Sequence, residues 1–473
     1  MKKGVLASYF EGIVDIAHGE SYSNILKYFL PEFIASLVLY SALYLVDVRF
    51  IADLESTTSY ATLGVTNLIM HFITKIAEGL SVGAIIMCGQ YNGANNFQKV
   101  GRTLIDTFWV TFIAGLIISS ILFFGGYWIY YFMNFPDKMI IVGISYLKIR
   151  ALGIFFMFIY FAFISFLKGI KNTQIPMLVY FLGGVVFVFF DYALIFGKLG
   201  LPCMKLNGSA MATSIQYGFM LVLVASMILR DKEYRKYSIK LFSSINVTTI
   251  KKLLFLSWPV IIDKTTIALS YIWLCKMITP IGKCAIAAFL VIKDMERLAF
   301  IPAIAFAQII TFLVSNDFGA ANLDGIKNNI KKVLLLAFIF VFLIVFILSL
   351  NPKYFISFFD KKAVFTDFAA KAFPILSVLL FFDLIQLILS AALRGVGDVK
   401  IVMWTRMLIC FGGFFPLSYL ISNMQIDNDI MKFILVYAIF YIGNAFMSII
   451  YINRFRTYVW KSSTTKVAYD KNY

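Results

Sequence analysis

Charged side chains are scarce in this chain of 473 residues. Asp, Glu, Lys and Arg make up 14% of the sequence, whereas hydrophobic residues make up 61%. Soluble globular domains carry about 25% charged residues, so the composition excludes an ordinary soluble protein. We interpret the chain as a membrane protein that crosses the bilayer several times.

Histidine and cysteine are also few, which limits the chemistry available to the chain. There are two His and five Cys, and the cysteines show no paired spacing and lie mostly within apolar runs. This pattern disfavours a metal site and a disulfide framework. The apolar runs contain no His–Asp pairing and no nucleophile motif. We therefore expect no cofactor, and we do not expect a membrane-embedded enzyme such as an acyltransferase or an intramembrane protease.

Twelve apolar runs are each long enough to cross a bilayer as a helix, which needs about 17–25 residues. Because lipid offers no hydrogen-bond partner to backbone N–H and C=O groups, such continuous runs are predicted to be helices rather than barrel strands. The runs fall near residues 28–52, 60–88, 103–132, 140–167, 175–197, 207–229, 253–279, 285–315, 333–350, 372–393, 401–421 and 431–453. The sequence therefore predicts an all-α membrane protein with twelve transmembrane helices, six in each half.

Two short segments recur at one fixed distance along the chain. FLKGIKNTQIPM at 166–177 corresponds to ALRGVGDVKIVM at 392–403, and GANN at 93–96 corresponds to GAAN at 319–322. Both pairs are 226 residues apart, which indicates an internal duplication. The predicted divisions are a cytoplasmic N-terminal segment at 1–27, an N-terminal six-helix lobe at 28–229, a cytoplasmic linker at 230–252, a C-terminal six-helix lobe at 253–453 and a cytoplasmic tail at 454–473.

The net charge of +17 would fit a nucleic-acid partner, but the placement of the basic residues gives another reason for it. Eighteen Lys and Arg residues fall on one side of the predicted membrane, and chiefly eight fall on the other. Basic residues are enriched on the cytoplasmic side of membrane proteins, so we expect both termini to be cytoplasmic. We expect contact with membrane lipid and no nucleic-acid partner.

Several charged residues lie inside the apolar runs. An ionised side chain near the centre of a transmembrane helix costs about 2.5–3.5 kcal/mol, so Asp383 is expected to have a partner or a function. Asp191 lies in the same kind of environment, and so do the adjacent residues Asp263 and Lys264. Neighbouring side chains point about 100° apart on a helix, so Asp263 and Lys264 do not simply satisfy each other.

A charged cluster lies in the eighth apolar run. Its members are Lys293, Asp294, Glu296 and Arg297. The spacings 293 to 296 and 294 to 297 are both i, i+3, so opposite charges can pair on the helix surface. Four charges at membrane depth predict either a buried network or a water-filled cavity.

The order of several segments, together with the twelve runs, resembles the multidrug and toxic compound extrusion (MATE) family of the multidrug, oligosaccharide-lipid and polysaccharide exporters. The resemblance covers residues 25–455. The segments that carry it are LVDVRFIADL, GQYNGANN, FLKGIKNTQIPM, FFDYALIFG, NGSAMATSI, WPVII, AIAAFLVIKDMERLAFIPAIAFAQ and DLIQLILSAALRGVGDVK. It implies two six-helix lobes with a central cleft that faces alternately out and in. It also implies export of amphipathic, often cationic compounds in exchange for H⁺ or Na⁺.

The resemblance further implies which acids bind the coupling ion, namely Asp47, Asp191 and Asp383. The sequence departs from the family at two positions, since Ile267 replaces a glutamate of the NorM-type branch and Phe187 replaces a polar residue. Both changes remove oxygen ligands. Sodium needs several such ligands, whereas a proton needs one carboxylate. We therefore favour H⁺ over Na⁺ as the coupling ion.

The predicted function is that of a monomeric antiporter of the inner (cytoplasmic) membrane, without a bound metal, that exports a small amphipathic substrate. Charge and cation–π contacts would bind a cationic substrate in the cleft. The residues assigned to this cleft are Asp383, Gln386, Asp263, Lys264 and Tyr192.

A flippase for a lipid-linked saccharide or another cell-envelope precursor is the alternative function. Such a protein needs cationic residues that bind pyrophosphate, and Lys264, Lys276, Lys293 and Arg297 provide candidates.

Overall fold

The structure is a computed structural model of the whole chain. It describes residues 13, 18–38, 43–54, 57–132, 136–240, 243–358, 360 and 363–457. The fold divides into two compact units. One contains the described residues from Leu30 to Ile261, and the other contains those up to Phe29 together with those from Ile262 onward.

The N-terminal unit is built from helices α1 to α7 and the start of α8. Their bounds are α1 Tyr22–Leu37, α2 Leu43–Ala52, α3 Thr57–Gly93, α4 Phe97–Phe132, α5 Asp137–Gly169, α6 Gln174–Phe196, α7 Leu206–Arg230 and α8 Val247–Ile278. The central helix of this unit is α5, which packs extensively on α3, α4 and α7. A short 3₁₀ turn at Lys232–Tyr237 follows α7 and buries Tyr234 and Tyr237.

The C-terminal unit contains the remaining helices. Their bounds are α9 Lys283–Gly319, α10 Leu323–Leu350, α11 Pro352–Ser357, α12 Thr366–Gly395, α13 Val399–Ile409, α14 Phe415–Asn423 and α15 Asp429–Arg456. A π-helical turn at Cys410–Phe414 joins α13 to α14, so the two form one bilayer-length segment. The core of this unit is the packing of α12 against α9 and α15.

Eleven helices within the described part of the chain are long and apolar enough to cross a membrane. They match eleven of the twelve predicted runs. The first predicted run, 28–52, differs because its described residues form two shorter helices, α1 and α2. Residues 39–42 between these helices lie outside the described part.

The predicted duplication is present in the backbone of the inter-helix turns. Asn95 and Ala321, which are 226 residues apart, both have a left-handed conformation, with φ of 57° and 58°. Lys171 and Gly397 are related by the same distance and have φ of 65° and 90°. Positive φ is costly for most residues, so its recurrence at equivalent positions confirms that the two halves share one architecture.

Glycine also occurs at an equivalent close contact in each unit. A Cβ atom on Gly169 would lie 2.5 Å from the Cβ of Cys88, and one on Gly395 would lie 2.8 Å from the carbonyl oxygen of Thr311. Both distances are too short for a side chain, so glycine lets α5 approach α3 and lets α12 approach α9. These glycines belong to the recurring segments found in the sequence.

The segment before the first helix of each repeat docks on a helix at equivalent positions. In the C-terminal unit, Asn328 of α10 donates to the carbonyl of His18 at 3.2 Å. In the N-terminal unit, Arg102 of α4 donates to the carbonyl of Ser244. Donors and acceptors are again 226 residues apart. We call residues 18–20 and 243–246 the docking segments.

The docking segments explain why the compact units differ from the predicted divisions. The amide of Glu20 donates to Asn329 at 2.8 Å, and the amide of Asn246 donates to Asp106 at 3.0 Å. The N-terminal segment therefore belongs with the C-terminal helices. The predicted linker at 230–252, for its part, belongs with the N-terminal helices.

Candidate functional site

Two of the three predicted ion-coupling acids lie in the N-terminal unit, on helices that pack together. Asp47 lies in the middle of α2 and accepts a hydrogen bond of 2.7 Å from the hydroxyl of Ser209. Ser209 is fully buried in the first turn of α7. Tyr146 on α5 is buried beside this pair and interacts electrostatically with Asp47. Among the described contacts, Asp47 thus has one hydrogen-bond donor, the neutral hydroxyl of Ser209.

Asp191 is the most isolated acid of the described structure. It lies on α6 and is 0% exposed. Neither of its carboxylate oxygens has a hydrogen-bond partner among the described residues. It interacts electrostatically with Asp47. Burying a carboxylate without a hydrogen bond is expensive unless it takes up a proton or a cation.

Arg150 provides the positive charge of the same site. It lies one helical turn after Tyr146 on α5 and interacts electrostatically with both Asp47 and Asp191. Its Nε is buried and has no hydrogen-bond partner within the described residues. We call Asp47, Arg150 and Asp191, with Tyr146 and Ser209, the N-terminal acid site.

The third predicted acid, Asp383, lies in a polar ladder between α12 and α15. The side-chain amide of Asn444 donates to Asp383 at 3.0 Å. One turn further along α12, Gln386 is 2% exposed, and its side-chain nitrogen has no hydrogen-bond partner within the described residues. Asp383 also interacts electrostatically with Lys293 and Arg406. Asp383 and Gln386 therefore lie on one polar face, as their i, i+3 spacing allows.

Asp263 is bound by two arginines from other helices. Arg394 at the end of α12 donates to one carboxylate oxygen at 2.6 Å, and Nε of Arg406 on α13 donates to the other. Asp263 is 1% exposed. Lys264 interacts with Asp263 only electrostatically. Asp263 is therefore tied into a buried ion-pair cluster in which Lys264 is a peripheral charge.

The charged cluster of α9 divides into a buried part and an exposed part. Glu296 is buried and accepts hydrogen bonds from the hydroxyl of Tyr441 at 2.5 Å, from that of Tyr437, and from Lys293 at 3.1 Å. Asp294 and Arg297 pair with each other at 2.7 Å and are nearly half exposed. The i, i+3 pairing predicted from the sequence is present in both parts.

Lys293 lies within an aromatic cage in addition to its ion pair. Its Nζ is 4.1 Å from the ring centroid of Tyr271 and 5.7 and 5.8 Å from those of Tyr437 and Phe440. A cation within about 6 Å of an aromatic face is attracted by the ring. The cage and Glu296 together hold this lysine in a fixed position inside the helical unit.

Tyr192 lies apart from these networks. Its side chain is 43% exposed, and its ring contacts those of Phe50 and Phe196 at 5.8 and 5.4 Å. The structure therefore places it on an aromatic surface of the N-terminal unit. Its role in a substrate cleft stays a prediction.

Sequence reasoning missed several partners of the predicted residues. Arg150 and Arg406 lie within the fourth and eleventh apolar runs, and a basic residue inside such a run was an available signal. Ser209 and Asn444 gave no such signal, because small polar residues are common in transmembrane helices.

Comparison with protein families identifies both halves of the chain. The MatE family model matches residues 33–193 and 259–420. A probable multidrug resistance protein NorM from Thermotoga maritima is 24% identical over 392 residues, which cover 81% of this chain and 84% of that protein. The probable multidrug resistance protein YoeA from Bacillus subtilis is 24% identical over 407 residues, covering 84% and 86% of the two chains.

Solved structures share the fold over nearly the whole chain. An outward-facing multidrug resistance MATE family transporter of the MOP superfamily superimposes with a TM-score of 0.84 at 18% identity, covering 93% of this chain and 96% of that one. A MATE structure in a bent conformation gives 0.83 at 17% identity. These similarities confirm the predicted all-α, two-lobe fold. Since the family model matches both six-helix repeats and more than half of the residues, the chain belongs to the MatE family, whose members are transporters and not enzymes.

Proposed function

We propose that this protein is a secondary active antiporter that exports amphipathic, cationic compounds in exchange for protons. The relatives named as probable multidrug resistance proteins support multidrug efflux as the general function. In this proposal two lobes alternate in exposing the binding site to the two sides of the inner membrane. The protein acts as a monomer in contact with lipid, and both termini are cytoplasmic.

The proposal rests mainly on the buried environment of the Asp191 carboxylate. Its carboxylate is fully buried, and no described residue donates a hydrogen bond to it. A carboxylate in this position takes up a proton more readily than it remains an unpaired anion. Protonation from outside would neutralise the N-terminal acid site and weaken its attraction for a cationic substrate, and ionisation on the cytoplasmic side would restore it.

The surroundings of Asp191 favour a proton over Na⁺. Phe187, one turn before Asp191 on α6, is buried and apolar. Sodium needs several oxygen ligands in place of its water shell, whereas a proton needs one acceptor.

Asp383 would supply the negative charge of the C-terminal half of the substrate site. Among the described contacts it accepts one hydrogen bond, from the neutral amide of Asn444 at 3.0 Å, whereas Asp263 and Glu296 are occupied by strong partners. Asp383 is thus better able than Asp263 or Glu296 to bind a substrate cation.

Dye efflux from proteoliposomes tests this proposal. Asp191→Asn keeps the size of the side chain but removes its ability to lose and regain a proton. We expect efflux driven by a pH gradient to fall to the level of empty liposomes. Asp294→Asn is the matched control, because Asp294 lies in an exposed pair, and it should transport normally. Undiminished efflux by Asp191→Asn would refute the proposed role.

The flippase alternative receives less support from the side-chain contacts. Lys293 is bound by Glu296 and Arg297 by Asp294, so these two cations are already neutralised. The efflux assay separates the two functions, since a flippase would move a fluorescent lipid-linked pyrophosphate and leave cationic dyes in place.

A further inference from the structure

We propose that Arg150 determines the ion specificity of the N-terminal acid site by acting as a built-in counter-cation. It limits the site to one proton per cycle and excludes Na⁺. This inference rests on the proposed proton-coupled function and assigns a role to a residue outside the predicted set of coupling acids.

The first support is the geometry of the site. Helices α5, α2 and α6 meet in one core cluster, which contains Tyr146 and Ile149 of α5, Ile51 of α2 and Ile195 of α6. Arg150 follows Ile149 on α5 and interacts electrostatically with both Asp47 and Asp191. The buried Nε of Arg150 and both oxygens of Asp191 have no hydrogen-bond partner within the described residues. Unpartnered donors and acceptors in one polar site indicate a place where the bonding changes during function.

The second support is the charge balance. Two carboxylates and one guanidinium give a net charge of −1 when both acids are ionised. Arginine keeps its proton in proteins, so its charge is constant through the cycle. One proton therefore neutralises the site, whereas two ionised acids without Arg150 carry a charge of −2 and would need two protons, or one proton and one Na⁺.

The neighbouring groups do not change this balance. The phenols of Tyr130 on α4, Tyr146 on α5 and Tyr217 on α7 face the site, and phenols are neutral near pH 7. Glu78 on α3 interacts electrostatically with Tyr217, but it is paired with Lys75 at 3.0 Å, so this pair adds no net charge. Arg49 on α2 is paired with Asp53 and 76% exposed. Lys148 on α5 is exposed and lies over the ring of Phe123.

The exclusion of Na⁺ follows from the chemistry of the guanidinium group. It has five donors and no acceptor, so it cannot coordinate a cation. It also repels one electrostatically. A proton avoids this repulsion because it becomes part of a neutral carboxyl group, whose formation needs no further oxygen ligands.

Arg150→Gln tests the inference in proteoliposomes, with Lys148→Gln as the matched control on the same helix. The wild type and the control should be driven by a pH gradient, and an imposed Na⁺ gradient should add less than twofold to efflux. In Arg150→Gln the Na⁺ gradient alone should raise efflux about tenfold over background. The pH dependence of its proton-driven efflux should move to higher pH, because a nearby positive charge that favoured ionisation is gone.

Arg150→Lys should behave like the wild type, since it keeps the charge. Arg150→His provides a second test if Arg150→Gln does not fold, because imidazole is cationic below pH 6 and largely neutral at pH 8. Its Na⁺ response should appear only at pH 8. An unchanged ion preference and pH profile in the folded Gln or His variant would overturn the role of Arg150. A wild type driven by Na⁺ would instead overturn the proposed function together with this inference.

Discussion

Replacing Asp263 by Asn should destabilise the C-terminal unit, and by more than replacing the exposed Asp294 by Asn. In the described contacts, Asp263 is the only acid paired with Arg394 and Arg406, which are 9% and 3% exposed. Removing one partner from a buried ion pair costs about 3–5 kcal/mol, because the remaining charge stays buried without compensation. Here the substitution leaves two arginines in that state.

The matched control is Asp294→Asn in the same unit. Asp294 and Arg297 are 46% and 47% exposed, and a pair of this kind contributes about 0–1 kcal/mol. Both variants change an Asp to Asn and remove one ion pair or more, so the difference between them isolates the effect of burial.

The free energy of unfolding can be measured in detergent by tryptophan fluorescence during denaturation. A double-mutant cycle with Arg406→Gln adds a second check, since Asp263→Asn and Arg406→Gln remove parts of one network. The double variant should lose less stability than the sum of the single losses. Equal stabilities of Asp263→Asn and Asp294→Asn, or strict additivity in the cycle, would refute the idea that these charges depend on one another.

Three further predictions concern stability. Tyr441→Phe removes a donor to the buried Glu296 and should cost about 1.5–3 kcal/mol in the same unfolding assay, whereas Tyr419→Phe, at a side chain 54% exposed, should cost almost nothing. Gly208→Ala would place a Cβ 2.7 Å from the Leu194 carbonyl carbon and should lower stability by about 1–3 kcal/mol. No described atom lies within 4 Å of a Cβ added at Gly64, so Gly64→Ala should not destabilise the protein. Desolvation raises the pKa of Asp360. Hydrogen bonds from the Phe365 amide and the Thr366 hydroxyl lower it by more, so the pKa lies below its ordinary value. The stabilisation is therefore present above the ordinary Asp pKa near 4 and is lost as the pH falls through the lower native value. Hydrogen exchange at the Phe365 amide, corrected for its intrinsic rate, should rise in that acidic range, and Asp360→Asn should remove this pH dependence.

The features that the sequence predicted correctly depend on local geometry. The duplication was visible because turns that need a left-handed residue keep it at Asn95 and Ala321. The pairing of Lys293 with Glu296 followed from helical spacing alone. Lys75 and Glu78 have the same spacing and pair at 3.0 Å.

The features that the sequence did not predict depend on contacts between distant parts of the chain. Asp263 and Arg406 are 143 residues apart, and Asp47 and Ser209 are 162 residues apart. Helical periodicity gives no information about which faces of two separate helices meet. For the same reason the assignment of the docking segments to their units could not be read from apolar runs, because these segments are polar and short.

The docking segments have a practical consequence for anyone who shortens or tags this protein. Deleting the first twenty residues would take one hydrogen-bond partner each from Asn328, Asn329 and Lys332, which lie about 310 positions downstream. A deletion near the N-terminus would thus destabilise the C-terminal unit, which is synthesised last. A fragment of the N-terminal unit should extend beyond residue 246, so that it keeps the docking segment that binds α4.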